Sequence, residues 1–111
     1  MRRLLRTEYA DRRFKPRADR GGLFRYQGWL PVVREHEKAG RTAVYRSEGL
    51  ACALGLPDLW IAFNGYWPER GAVLETATFK ELEAYTVLGR MPGTEVVLTI
   101  ASSGNTGTAF A

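Results

Sequence analysis

The apolar run Val96-Val97-Leu98-Thr99-Ile100-Ala101 passes directly into the tight polar turn Ser102-Ser103-Gly104-Asn105-Thr106-Gly107, with four residues beyond it. So dense an apolar run reads as a strand covered on both faces, the central strand of a parallel sheet. A strand that feeds a small-residue turn opening a helix presents backbone N–H groups and the positive helix pole to an anion. The bland alternative is an ordinary strand-to-helix connection, with Ser103 as a cap and Gly104 as a permissive backbone position. The helix that should follow has barely begun at Ala111, short of the roughly three turns of an ordinary helix. The chain is therefore expected to be the front portion of a longer protein.

Composition removes several classes. Apolar residues make up 45% and charged residues 25% of 111 residues, ordinary for one small globular unit, and no run approaches a membrane span. The N-terminus lacks the apolar core of a signal peptide, so a cytoplasmic location is the default expectation. Cys52 stands alone, which removes an internal disulfide and a cysteine-built zinc site, and it is expected to be a small buried filler.

Charge is uneven. Residues 1–25 hold nine Arg/Lys against three Asp/Glu, a net of +6, while residues 26–111 hold seven against nine, a net of −2. A basic head of this kind could serve as a nucleic-acid arm. Its interspersed Leu4, Leu5, Tyr9, Phe14, Leu23, Phe24 and Tyr26 suit a half-buried hairpin better. A basic nucleic-acid-binding module is therefore the rival of another class, with nucleic acid not the favoured partner.

Two parts are expected. Residues 1–41 form a basic segment with short strands at 4–9 and 23–26 and a helix from Trp29-Leu30-Pro31 to about Lys38. Residues 42–111 then alternate: a strand at 42–45, a helix from Ser47 to Leu54 stopped by Gly55 and Pro57, a strand at 59–63, and a long loop from Asn64 to about Glu75. A helix from Phe79 to Leu88 closed by Gly89 and the strand 95–101 complete the order. Alternation of this kind implies an α/β fold with parallel pairing. His36 reads as an exposed helix residue, and Trp29, Trp60 and Trp67 as buried aromatics.

Within ETATFKELEAYTVLGRM, Thr78 and Glu81 have the spacing of a capping box, which puts Lys80 in the first helical turn, against the helix dipole. At about 100° per residue Lys80 shares its side with Ala84, Val87 and Met91, while Glu83, Thr86 and Arg90 lie on the polar stripe. A buried lysine beside the positive pole is pushed toward the neutral, nucleophilic amine that condenses with an aldehyde. The alternative is a lysine that snorkels to the edge of that face or pairs with a glutamate such as Glu75 or Glu81. In a parallel α/β sheet the loops at the carboxyl ends of the strands converge on one crevice, which would bring Asn105 and Lys80 together. Pyridoxal 5'-phosphate (PLP), an aldehyde carrying acidic groups, would use such a set.

At these residues a resemblance becomes specific. TATFKELEA and SSGNTG resemble the lysine motif and asparagine loop of the PLP-dependent β-family, which includes threonine synthase, cysteine synthase and the tryptophan synthase β chain. The string YRSEGLACALGLPDLWIAFNGYWPERGAVLETATFKELEA is most similar to the branch that exchanges the phosphate of O-phosphoserine for sulfite and feeds coenzyme M synthesis. The resemblance runs from about Leu4 to Ala111. It implies a partial, truncated three-layer α/β/α parallel sheet of the tryptophan synthase β-like fold, preceded by the N-terminal hairpin-like segment. It implies that Lys80 is the catalytic residue and holds PLP covalently, that Asn105 hydrogen-bonds the cofactor's ring oxygen, and that Ser102, Ser103, Gly104 and Thr106 line a substrate-carboxylate turn.

It further implies O-phosphoserine and sulfite as small-molecule substrates, a homo-oligomeric full-length enzyme, and no metal. Arg70, ahead of Arg46 and the basic head, is the candidate to attract the two dianions. The family's phosphate cup and the partner of the pyridine nitrogen lie farther along a full-length chain. These 111 residues are thus expected to bind PLP poorly and to lack turnover. Threonine synthase remains the nearest rival, with the GYWPERGA loop favouring the sulfite-using branch.

Overall fold

The computed structural model describes residues 7–93, 95 and 97–111. Its best-formed unit is built by local signals. Strand β1 (Ala43–Arg46) leads through Ser47 into helix α1 (Glu48–Leu54), which Gly55 ends in the left-handed region at φ 66°. Leu56 N–H donates to Ala51 O and Gly55 N–H to Cys52 O, the paired bonds of a Schellman stop. The chain is thereby turned straight back, and β2 (Trp60–Phe63) pairs antiparallel with β1, Arg46 opposite Trp60 and Ala43 opposite Phe63. The parallel pairing expected from strand–helix alternation is corrected for this reason. Arg46 ties the same turn down through Pro57 O at 2.8 Å and Asp58 at 3.6 Å.

The long loop expected after Asn64 contains a second small hairpin. Here β3 (Tyr66–Trp67) and β4 (Ala72–Val73) pair antiparallel around a 3-10 turn at Pro68–Arg70, with Gly71 at φ 77°. Among the described residues, two small antiparallel sheets and three α-helices make this a small α/β structure. The core is correspondingly slight: Phe24, Ala43, Ala51, Ala72, Leu74 and Ala84 are its buried apolar residues among those described.

Helix α2 runs from Lys80 to Arg90, two residues past the expected end at Leu88 and through the stop expected at Gly89. Gly89 has another role: its bare Cα lets the segment at Val32–Arg34 approach, and its carbonyl accepts the amides of Val33 and Arg34 at 2.9 and 3.0 Å. Helix α3 (Asn105–Phe110) packs against α2.

The N-terminal expectation is corrected as well. Leu23–Trp29 is a 3-10 helix rather than a strand, and residues 30–38 are irregular rather than helical. The half-burial expected of the segment is not found, since Tyr9, Phe14, Tyr26 and Trp29 are exposed, but these side chains cluster: Phe14 stacks on Tyr26 and meets Trp29, which Tyr9 also meets. Arg17 bonds Asp19, Gln27 and Glu35, and Arg20 joins at Glu35, so these bonds bind the loop where ladders were expected. Residues 4–6 of the expected first strand lie outside the described residues.

Residues 97–101 form no strand, and Val96 lies outside the described residues. No described strand pairs with this run, and its backbone groups cannot make a ladder alone. Val97 is consequently 93% exposed. Cys52 is exposed, because α1 buries only Ala51. Trp29 and Trp60 are exposed and Trp67 half-buried, so these aromatics cover small local clusters. His36 is half-buried in an irregular segment against Tyr85, its Nε2 buried without a partner.

Candidate functional site

Lys80 is the first residue of α2, and its backbone N–H donates to Thr78 Oγ1 at 3.3 Å. The expected capping box does not form: Phe79 precedes the helix with no side-chain cap bond, and Thr78 Oγ1 takes the amide of Lys80 in place of that of Glu81. Glu81 does not reach back to Thr78; its Oε2 accepts the Thr76 N–H and the Thr76 hydroxyl, both at 2.9 Å. The buried stripe of α2 is Glu81, Ala84 and Gly89, flanked by half-buried Tyr85 and Leu88. That stripe is rotated from the one expected through Lys80, Ala84, Val87 and Met91, and Val87 is exposed.

Lys80 therefore does not lie along an apolar face. Its side chain is 34% exposed, and Nζ donates to Glu83 Oε2 at 2.7 Å, an (i, i+3) ion pair along the helix. The nitrogen also lies 5.4 Å from the centroid of the Phe79 ring. The burial expected of this amine is not found, and its glutamate partner is Glu83 rather than Glu75 or Glu81. The signal for Glu83 was present in the spacing, because side chains three residues apart on a helix are neighbours.

The asparagine loop is exposed. Gly104 precedes α3, Asn105 is its first residue, and Ser102, Ser103 and Asn105 face solvent while Thr106 is half-buried. Ser102 Oγ accepts the Gly104 N–H at 3.2 Å and the Gly107 N–H at 3.0 Å, and it donates to Gly104 O. The serine hydroxyl thus occupies two of the donors that the turn offers, leaving the first-turn amides of Asn105 and Thr106 without intrahelical acceptors. Packing of α3 on α2 brings the two sequence-singled elements side by side.

Arg70 sits at the end of the Pro68–Arg70 turn. Its guanidinium lies 5.4 Å from the Tyr45 ring centroid and 5.2 Å from that of Trp67, stacked between the two hairpins. Its described partners are aromatic faces, and the residue is exposed. Tyr85, one turn beyond Glu81, has its hydroxyl pKa pushed up by burial and then by the nearby charges of Glu81 and Glu75. The hollow lined by Arg46, Glu48, Ala51, Cys52, Leu56 and Pro57 includes neither Lys80 nor Asn105 and opens to solvent.

No helix among the described residues is long and apolar enough to cross a membrane. Known proteins resemble this chain over nearly its whole length. Cysteate synthase of Methanoculleus marisnigri is 51% identical over 108 residues, 96% of this chain and 25% of that protein. Cysteate synthase of Methanosphaerula palustris is 49% identical over 108 residues, 96% of this chain and 25% of that protein. Cysteate synthase of Methanospirillum hungatei is 45% identical over 109 residues, 97% of this chain and 26% of that protein. The chain thus spans about a quarter of the length of the curated relatives it matches. No family model matches it, and no solved structure does.

Proposed function

The sequence belongs with the cysteate synthases, and from that premise we propose that its residues carry the lysine and asparagine elements of a PLP-dependent β-replacement enzyme. The reaction converts O-phospho-L-serine and sulfite into L-cysteate and phosphate. The Cβ–O bond breaks with phosphate as leaving group, and sulfite sulfur forms the new bond to Cβ. The observation that carries the reading is identity of 45–51% over all but a few residues of this chain. On the same premise, residues 42–111 begin the PLP-binding domain of a three-layer α/β/α sheet, in which the run 97–101, no strand here, would pair as one.

The donor set suits a phosphorylated aldehyde. Lys80 offers a primary amine within reach of solvent, Asn105 an exposed amide, and the helices that carry them are packed together. Lys80 would hold the cofactor covalently, and Asn105 would hydrogen-bond its ring oxygen. When bound, the cofactor supplies an electron sink for the bond broken at the substrate α-carbon.

The chain's own residues do the rest. Lys80 must first leave Glu83 and lose a proton, since only the free amine is a nucleophile or a base. With its amine free, Lys80 would take the α-proton. Ser102, Ser103, Gly104 and Thr106 line the turn that receives the substrate carboxylate. Ser102 has to surrender the Gly104 and Gly107 amides if these are to serve as donors. Arg70, with its edges free of a carboxylate among the described residues, draws in the phosphorylated substrate and sulfite. The basic head supports a nucleic-acid arm poorly, because Arg17 and Arg20 are engaged by Asp19 and Glu35.

The test of the lysine is direct. Incubation of the chain with PLP, borohydride reduction and peptide mapping are expected to place the pyridoxyl group on Lys80 ahead of Lys15 and Lys38, and Lys80→Ala to remove that preference. Equal labelling of all three would reject the assignment. Full-length relatives supplied with phosphoserine and sulfite, against phosphohomoserine alone, separate the cysteate reading from a threonine synthase.

A further inference from the structure

We propose that Glu81 is a positioning residue for Lys80, acting by clamping the turn that delivers the chain into α2; this rests on the reading of Lys80 given above. Glu81 is 4% exposed, and burying a carboxylate is costly unless its oxygens are partnered. One oxygen is fully used: Oε2 takes both the backbone N–H and the hydroxyl of Thr76. The other, Oε1, is buried without a partner. Glycine at position 40 leaves the room it occupies, since a Cβ there would lie 2.7 Å from Oε1, 2.6 Å from Leu74 Cδ2 and 2.8 Å from Val73 O.

The clamp is set on a strained turn. Ala77, between Thr76 and Thr78, has φ 52°, the left-handed region that an alanine rarely occupies. Such strain persists only where the surroundings over-determine it. They do so here: Ala77 N–H donates to Leu74 O, Leu74 is fully buried, Thr78 is buried and holds the Lys80 amide, and Glu81 holds Thr76 from the far side. A helix N-terminus needing only a cap is satisfied by one exposed hydroxyl or carboxylate. A buried carboxylate reaching five residues back fixes something more, the direction in which the first residue of α2 leaves the turn. That residue is Lys80.

Amide hydrogen exchange on the 111-residue chain tests the clamp, and reductive pyridoxyl labelling tests its purpose. Glu81→Ala is expected to speed exchange at Thr76 and Lys80 by about ten-fold, the equivalent of one lost hydrogen bond, with Leu88 changed by less than about two-fold. Glu81→Gln, which keeps a carbonyl acceptor for Thr76, restores both sites. In parallel, the preference of pyridoxyl labelling for Lys80 over Lys15 and Lys38 falls several-fold in Glu81→Ala and returns in Glu81→Gln. Should Glu81→Ala not fold, Thr76→Val removes the hydroxyl bond alone and is expected to produce a smaller loss in both readouts. Loosening of all α2 amides alike, or none, overturns the clamp. A clamp seen by exchange, with Lys80 preferred and that preference unmoved, overturns the positioning role. Absence of any preference in the unaltered chain instead defeats the reading of Lys80 itself, and leaves Glu81 structural.

Discussion

Helix α2 and helix α3 touch, yet they are held by different means. The start of α2 is seated on Leu74, which is fully buried, on Gly40, whose missing side chain admits Leu74 and Glu81, and on the Glu81–Thr76 bonds. Its far end rests on the Val32–Arg34 segment through Gly89. The run leading to α3 has no such seat: Val97 and Leu98 are exposed, and one hydroxyl, that of Ser102, organises the turn. The lysine half of the candidate site is thus built within this stretch of chain, whereas the asparagine half depends on a single serine and on what packs around it.

The largest effects should fall on the seat of α2. Leu74→Ala empties a fully buried position and is expected to cost about 3 kcal/mol. Gly40→Ala drives a methyl against Val73 O and the Glu81 carboxylate, at about 2 kcal/mol. Urea midpoints would report both. If either variant melts like the unaltered chain, α2 is not anchored as described and the contrast with α3 disappears.

What could be read in advance follows the same division. Helix α1 was legible because its start and stop are local: Ser47 at one end, Gly55 and Pro57 at the other. The existence of α2 was legible for the same reason. Its details were not, since the roles of Gly89 and Gly40 exist only through the segments that approach them. Lys80 was misplaced because a long side chain at the edge of a stripe can reach a neighbouring glutamate, and burial on α2 follows Glu81 and Ala84. The run 95–101 carries strand composition, but composition supplies no ladder. A strand is a property of a pair, and its partner is not among the described residues. At the site, Lys80, Asn105 and the serine turn were marked by motif, whereas the Thr76 clamp needed coordinates.

A smaller effect sharpens the asparagine side. Ser102→Ala releases the Gly104 and Gly107 amides, and loss of such a cap costs about 1 kcal/mol. Because the serine serves only the turn and α3, amide exchange should rise from Gly104 to Thr108 and stay unchanged at Ala84 and Tyr85. Propagation into α2 would mean that the two helices form one cooperative unit, against the comparison drawn here.

Alkaline pH separates the helices by another route. Burial, together with Glu81 and Glu75, raises the Tyr85 pKa above its ordinary 10.0. The folded state therefore holds this proton more tightly than the unfolded chain. Its contribution is complete below the unfolded value and is lost as pH rises through the folded one. Urea midpoints measured from about pH 9 to about pH 11 should show an alkaline decline that Tyr85→Phe reduces. An identical decline in both proteins would remove Tyr85 from the packed side of α2.

The smallest effect expected is at Val97. An apolar side chain with 93% exposure makes no packing for a lysine to lose, so Val97→Lys should change stability of this chain by less than about 0.5 kcal/mol. In a full-length relative, the same substitution at the corresponding position would put a charge into a strand that the proposed sheet covers on both faces, costing several kcal/mol. The pair of measurements asks whether exposure here belongs to the segment or to its missing neighbours. Neutrality in both proteins would leave 97–101 a surface loop and remove the sheet from the proposal. Neutrality here with unfolding there would show that the asparagine half of the site gains its rigidity from chain that this stretch does not contain.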